Sequence, residues 1–137
     1  MFVFSFLVIR KTLSAIKRIM PHDERAEQSI IGSMLIDKDA IAVATEVLLK
    51  DDFYDKRYGI LFEAMTDLYN LSKPVDVVTL KAKLEEMGQP EEIVGMDFIV
   101  EIINNTYTSA NVKEYVNIVR GDTETHQVQR RYYKSML

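Results

Sequence analysis

The fold of this chain is decided by the stretch Ala26-Glu27-Gln28-Ser29-Ile30-Ile31-Gly32-Ser33-Met34-Leu35-Ile36-Asp37. Apolar residues at positions 26, 30 and 34, with 31 and 35 beside them, recur at helical spacing and so form one stripe along a helix. Gly32 lies inside that stripe, where glycine costs roughly 1 kcal/mol relative to alanine and suggests a close approach by another segment. The stretch therefore predicts a buried helix with a tightly packed neighbour.

The rest of the middle of the chain predicts further helices joined by short connections. Asp23, Asp55 and Asp76 precede apolar sets and are expected to be N-caps, and Gly88 is expected to end a helix in the left-handed conformation. Beyond the first helix, we expect helices at about 39–49, 58–69, 77–87, 98–103 and 112–119. No segment shows sustained alternation of apolar and polar residues, so the prediction is an all-α, compact multi-helix globule of about six helices.

Charge divides the chain into three zones. Residues 1–20 carry a net charge of +4, residues 21–120 a net charge of −9, and residues 121–137 a net charge of +1. A segment as acidic as the middle zone lacks the cationic surface that neutralises phosphates. Direct nucleic-acid binding by this segment is therefore disfavoured, and a protein partner is favoured.

The two ends are expected to differ from the middle. Residues 1–20 place an apolar run before the basic residues, which is the reverse of a signal peptide, and the run is too short to span a bilayer. We interpret this segment as an N-terminal extension outside the fold, with Met20 as an alternative start, while a membrane-surface helix stays open. Residues 121–137 are expected to be a divergent tail or a truncated hairpin, because Gly121-Asp122 should interrupt the last helix.

The sequence contains no constellation typical of an enzyme. None of the five glycines belongs to a G-x-x-x-x-G-K-[ST] phosphate-binding loop, and the absence of cysteine excludes disulfides and thiolate catalysis. His22 and His126 lack organising neighbours, and the acidic pairs fit helix caps and solvated surface better than a metal site. The expectations are therefore no catalytic residue, no cofactor and no metal, in a reducing cytoplasm without a membrane association.

Four blocks in order resemble the N-terminal domain of DnaB-type replicative DNA helicases. The stretch quoted first is similar to the first helix of that domain. The second block, D-D-F-Y-D-K-R-Y-G-I-L-F at 51–62, is similar to the acid-Phe-Tyr segment of the family. The third block, K-P-V-D-V-V-T-L at 73–80, is similar to its Pro-x-Asp-x-x-Thr-Leu turn. The fourth block, T-S-A-N-V-K-E-Y-V-N-I-V at 108–119, is similar to its Ala-Asn-x-x-x-Tyr-x-x-x-Val helix. Together the blocks cover about 21–120, and the resemblance to the family ends before Gly121.

The resemblance implies a non-catalytic domain of the primosome. In the family this domain is a helical globule followed by a helical hairpin, six copies form a collar, and the hairpins contribute to subunit contacts and to primase docking. ATP and magnesium belong to the family's motor domain, whose phosphate-binding loop this chain lacks. The implied partners are therefore other helicase subunits and primase, and the chain is interpreted as a truncated or fragmentary helicase with only the start of the hairpin.

Four residues match the beginning of the hairpin helix and are the candidate interface: Val112, Tyr115, Val116 and Val119. Packing against the globule is the favoured alternative for them, because an apolar stripe on a helix is usually buried. Two other functions stay open, namely the helicase-binding domain of a primase and a stand-alone helical regulator that mimics the helicase collar. The sequence leaves open the oligomeric state, the true start codon, whether the chain is naturally short, and whether primase binding survives without a full hairpin.

Overall fold

The first stretch forms the central helix of the protein, α1 (Glu24–Ile36), in a computed structural model that describes residues 23–92 and 94–136. Its N-cap is Asp23, whose carboxylate accepts a hydrogen bond from the Ala26 amide, as the sequence predicts. Ile30, Ile31 and Met34 are almost completely buried. Predictions about residues 1–20 and His22 lie outside the described residues.

Five more α-helices and one short turn complete the described fold. The helices are α2 (Lys38–Val47), α3 (Lys56–Asn70), α4 (Val77–Glu86), α5 (Met96–Asn104) and α6 (Val112–Ser135), and a 3₁₀ turn (Lys50–Asp52) lies between α2 and α3. No β-strand occurs in residues 23–92 or 94–136. The predicted all-α architecture with about six helices is therefore confirmed.

α1 packs against α2, α3, α5 and α6, so the core surrounds one helix. α3 contributes the largest set of apolar side chains and also packs against α4 and the 3₁₀ turn. The close approach predicted at Gly32 is present, because a Cβ atom there would lie 1.8 Å from the Thr106 Oγ1 atom, beyond the end of α5. A glycine at this position therefore lets the chain after α5 cross directly over α1.

Side-chain and backbone caps define most helix ends. Asp55 and Asp76 accept hydrogen bonds from the first turns of α3 and α4, as predicted. Gly88 ends α4 with φ +72°, and the Gln89 amide donates to the Leu84 carbonyl, which completes the left-handed cap. α2 begins slightly before the predicted position because the Asp37 carboxylate accepts a hydrogen bond from the Asp39 amide.

The predicted interruption at Gly121-Asp122 is wrong, since α6 continues as one helix to Ser135. Gly121 costs only about 1 kcal/mol in a helix interior, which the turns on both sides can offset. Thr123, just beyond it, donates from its hydroxyl to the Val119 carbonyl one turn earlier and to the Asp52 carbonyl of the 3₁₀ turn. Helix geometry continues where the sequence favours a break.

Candidate protein-interaction surface

The first half of α6 packs against the globule with the four residues predicted as a candidate interface. Val116 and Val119 are each 1% exposed, Val112 is nearly as buried, and Tyr115 is half-buried against the same core. α6 contacts α1 and α2 on this side. The valines therefore present almost no surface to a partner while α6 is packed in this way, and an interface role for the four residues stays a prediction.

Two hydroxyl groups fasten α6 at either end of this packed half. The Ser109 hydroxyl, just before α6, donates to the Asp37 carboxylate at 2.8 Å. The Thr123 hydroxyl donates to the Asp52 carbonyl at 3.1 Å. The Thr108 hydroxyl accepts a hydrogen bond from the Ala110 amide. These bonds fix the direction in which the rest of α6 leaves the globule.

The second half of α6 exposes apolar side chains. Val128 is 63% exposed and Tyr132 is 62% exposed, and they are separated by one helical turn. At 100° per residue, Tyr132 lies about 160° around the helix from the buried Val116. The exposed apolar face of α6 is therefore nearly opposite the face that packs on the globule.

Sequence reasoning missed this exposed face because it ended the helix at Gly121. The available signal was the spacing of Val128 and Tyr132 at i and i+4, which indicates one face of a helix once the helix is allowed to continue. Three basic residues and no acidic one occur from 125 to 137. The described side chains of Arg131 and Lys134 are exposed beside Tyr132.

A polar cluster joins the starts of α3 and α5. The Arg57 guanidinium pairs with the Asp55 carboxylate at 2.8 Å and lies 4.2 Å from the centre of the Phe98 ring. Phe98 in turn stacks on the buried Tyr58, with ring centroids 5.4 Å apart. The Glu27 carboxylate accepts a hydrogen bond from the Asp55 amide. The cluster ties α1, α3 and α5 together.

The pKa values of Asp55 and Tyr58 in this cluster are shifted further from neutral pH. Burial tends to raise the pKa of Asp55, but hydrogen bonds from the Arg57 side chain and amide, together with its charge, hold the pKa below its usual range. Burial, reinforced by Glu24 and Asp55, raises the pKa of Tyr58 to about 12. A catalytic acid or base works best with a pKa near the operating pH, so these shifts suit a structural role.

Two small grooves lie on the part of the surface that the structure describes. One of about 300 Å³ runs between the end of α1 and the chain after α3, where Asp37, Lys38 and Lys73 supply its charged groups. Another of about 300 Å³ is lined mainly by acidic and aromatic side chains near the start of α1. Among the side chains that the structure describes, no group of three histidine, cysteine or carboxylate residues could hold a metal ion. None of the helices in residues 23–92 and 94–136 has the length and apolar character to span a membrane.

Comparison with known proteins assigns the globule to a family. Residues 19–121 match the family described as "DnaB-like helicase N terminal domain". The chain is 35% identical over 119 residues to the replicative DNA helicase DnaB of Geobacillus stearothermophilus, and the match covers 87% of this chain and 25% of that helicase. The chain therefore spans a quarter or less of the length of the curated helicases of this kind that it matches.

Two solved structures share the fold. The crystal structure of the N-terminal domain of DnaB helicase from Mycobacterium tuberculosis superimposes with a TM-score of 0.79 at 34% identity, covering 84% of this chain and 83% of that one. The N-terminal domain of DnaB helicase from Helicobacter pylori, studied with its interactions with primase, superimposes with a TM-score of 0.71 at 17% identity, covering 92% and 93%. The chain belongs to the DnaB-like helicase N-terminal domain family.

Proposed function

We propose that this chain acts in DNA replication as a non-catalytic module that assembles helicase subunits and docks primase. The observation that carries the proposal is the match of residues 19–121 to a helicase N-terminal domain, in a chain whose sequence has no G-x-x-x-x-G-K-[ST] loop. ATP and magnesium would belong to a motor domain, and the module itself would need no cofactor. We expect it to work in the cytoplasm.

The surface chemistry supports binding to protein rather than to DNA. The net charge of −9 over residues 21–120 opposes contact with phosphates. The exposed half of α6 offers apolar side chains beside basic ones, which is the composition of a helix that packs against another protein. The Helicobacter pylori domain that shares this fold interacts with primase. We therefore place the docking surface on the second half of α6.

Titration of the purified chain with the primase of the same genome tests this function. We expect binding by calorimetry, and we expect Val128→Asp to weaken it about tenfold or more because a charge would enter an apolar contact. Val78→Asp is the matched control, since Val78 is 77% exposed on α4, away from α6, and its substitution should leave binding unchanged.

Three results would contradict the proposal. Hydrolysis of ATP by the purified chain would show a catalytic function. Absence of binding to both the primase and the full-length helicase of that genome would remove the assembly role. Equal losses of binding in the Val78 and Val128 variants would place the docking surface elsewhere.

A further inference from the structure

The groove between the end of α1 and the chain after α3 combines apolar and basic side chains. Met34 and Ile41, both almost completely buried, line it together with the half-buried Tyr69. Lys38 and Lys73 also line it, and both are exposed. Its volume of about 300 Å³ lies at the lower end of the range for ligand pockets. The groove therefore suits one large side chain with charged groups beside it.

The charge of this groove is opposite to that of the domain around it. Lys38 and Lys73 are accompanied there by a single carboxylate, Asp37, so the groove carries a net charge of +1, whereas residues 21–120 carry −9. Both oxygens of the Asp37 carboxylate accept hydrogen bonds, one from a backbone amide of α2 and one from the Ser109 hydroxyl. Neither lysine forms an ion pair with the described residues. The two ammonium groups can therefore pair with carboxylates of a ligand.

Ser72, which also lines the groove, has a backbone conformation that favours glycine. Its φ of +57° lies in the left-handed region, where the Cβ atom of an L residue comes too close to the following carbonyl oxygen. The equivalent turn at the end of α4 has Gly88 at this position, with φ +72°. In both turns the amide of the next residue donates to a carbonyl five residues earlier. Serine is therefore less stable than glycine here, and strain of this kind is concentrated at functional sites.

We propose that this groove binds an extended segment of a partner protein in which a leucine is flanked by carboxylates. Successive side chains of an extended segment point to opposite sides, so a leucine that enters the groove leaves its acidic neighbours at the rim. There the carboxylates would pair with the ammonium groups of Lys38 and Lys73, and the Ser72 hydroxyl would donate to one of them. The groove shares no residue with the second half of α6, so this site is additional to the docking surface proposed there.

The apolar lining favours a peptide over a nucleic acid as the ligand. Nucleic-acid sites neutralise several phosphates with clustered cations, whereas this groove provides two lysines beside the Asp37 carboxylate. A leucine side chain is stabilised by leaving water for an apolar groove, and a phosphate backbone is not. The combination of Met34, Ile41 and two lysines therefore matches a segment that is both apolar and acidic.

Titration of the isotope-labelled full chain with the acetylated and amidated peptide Gly-Asp-Leu-Asp-Gly tests the site by NMR. We expect a dissociation constant on the order of 1 mM, because few atoms make contact, and the largest amide shifts at 34–41 and 69–75. Two matched peptides are the controls. Gly-Lys-Leu-Lys-Gly should bind about tenfold more weakly or worse because its charges repel the lysines, and Gly-Asp-Gly-Asp-Gly about tenfold more weakly because it lacks the leucine.

Substitutions in the chain assign the contacts. K38E/K73E should weaken binding of the acidic peptide about tenfold or more, whereas K81E/K113E reverses two exposed lysines outside the groove and should leave binding within about twofold. Ser72→Gly should raise the midpoint of thermal unfolding by about 2–4 °C, because the left-handed strain is removed. The same variant should weaken binding about threefold, because the hydroxyl is lost. Stabilisation without weaker binding would overturn the assignment of Ser72 to the site.

Three further results would overturn the proposal. The first is the absence of amide shifts in the groove at about 10 mM peptide, since that concentration exceeds the expected dissociation constant. The second is equal binding of the acidic and basic peptides, or unchanged binding by K38E/K73E with its fold retained by circular dichroism. The third is displacement of the acidic peptide by a single-stranded oligothymidylate, which would assign the lysines to a nucleic-acid site.

Primase binding by K38E/K73E separates this proposal from the proposed function. The variant leaves the second half of α6 unchanged, so it should bind primase as the wild type does while losing the acidic peptide. Loss of primase binding in this variant would place primase in the groove and would overturn the assignment of the groove to an additional partner.

Discussion

The two halves of α6 belong to one helix but are stabilised in different ways. Residues 112–123 bury Val116 and Val119 against α1 and α2, whereas residues 128–135 expose Val128 and Tyr132. Burial of apolar surface stabilises the first half, while the second half depends mainly on the helix that precedes it. Helical structure therefore follows from continuity of the backbone, whereas burial decides which residues can contact a partner.

The largest expected difference in stability is between variants that place a charge in the first or the second half of α6. Val116→Asp would bury an unpaired carboxylate, and we expect it to lower the free energy of unfolding by about 3–5 kcal/mol. Val128→Asp places the same carboxylate in solvent, and we expect a change within about 0.5 kcal/mol. Urea unfolding followed by circular dichroism in dilute solution measures both values. Similar losses in the two variants would break the distinction between the halves.

Substitution of two helical glycines by alanine should change stability by smaller amounts, with opposite signs at the two positions. Gly32→Ala would bring its Cβ into the Thr106 side chain, and we expect a loss of about 2 kcal/mol. Gly121→Ala meets no atom within 4 Å, so we expect it to stabilise the protein by about 0.5–1 kcal/mol through helix propensity alone. Thermal unfolding measures the pair.

The double variant Gly32→Ala/Thr106→Ala serves as the control for that clash. Removing the Thr106 hydroxyl and methyl groups should recover part of the loss at Gly32, because these atoms lie in the way of the new Cβ. A stabilising Gly32→Ala would show that the close approach over α1 relaxes easily. A destabilising Gly121→Ala would show that α6 is not helical at this position.

The smallest expected change in stability at neutral pH comes from substitution of Tyr58, which is buried in the globule. Its pKa is raised from 10.0 to about 12, so the folded protein retains the phenol proton where the unfolded chain loses it. The stability that this provides is complete below pH 10 and decreases as the pH rises from about 10 to 12. Tyr58→Phe should remove this dependence of the free energy of unfolding on pH. Between about pH 6 and 9, where the phenol is protonated in both states, the curve of stability against pH should stay nearly flat. An unchanged alkaline slope in that variant would assign the dependence to another group.

The sequence predicts the core of this fold well because the core uses regular patterns. Helical spacing identifies the buried faces of α1 and α3, and carboxylates at Asp23, Asp55 and Asp76 mark the helix starts where the structure has caps. Gly32 signals a close approach, which the Thr106 contact explains. These features depend on local chemistry, so a single sequence is sufficient to predict them.

The candidate surface is less predictable because it depends on packing between distant segments. Val116 and Tyr132 are both apolar residues on one helix, and only the position of α1 and α2 decides which of them is buried. Gly121 was a misleading signal, since a weak local preference was overridden by the helix around it and by Thr123. Contacts such as Phe98 with Tyr58 join helices that the sequence separates by a long interval.

Asp37 has a consequence for the order in which the chain can fold during synthesis. This residue follows α1, caps α2 with its side chain, and accepts the hydrogen bond of Ser109, which lies 72 residues later. The surface of α1 that α6 covers can therefore be buried only after almost all of the globule has been synthesised. Until then its apolar face is covered only by the helices already made, and the nascent domain exposes the surface that α6 will bury. Completion of the core is therefore expected late in the synthesis of each chain.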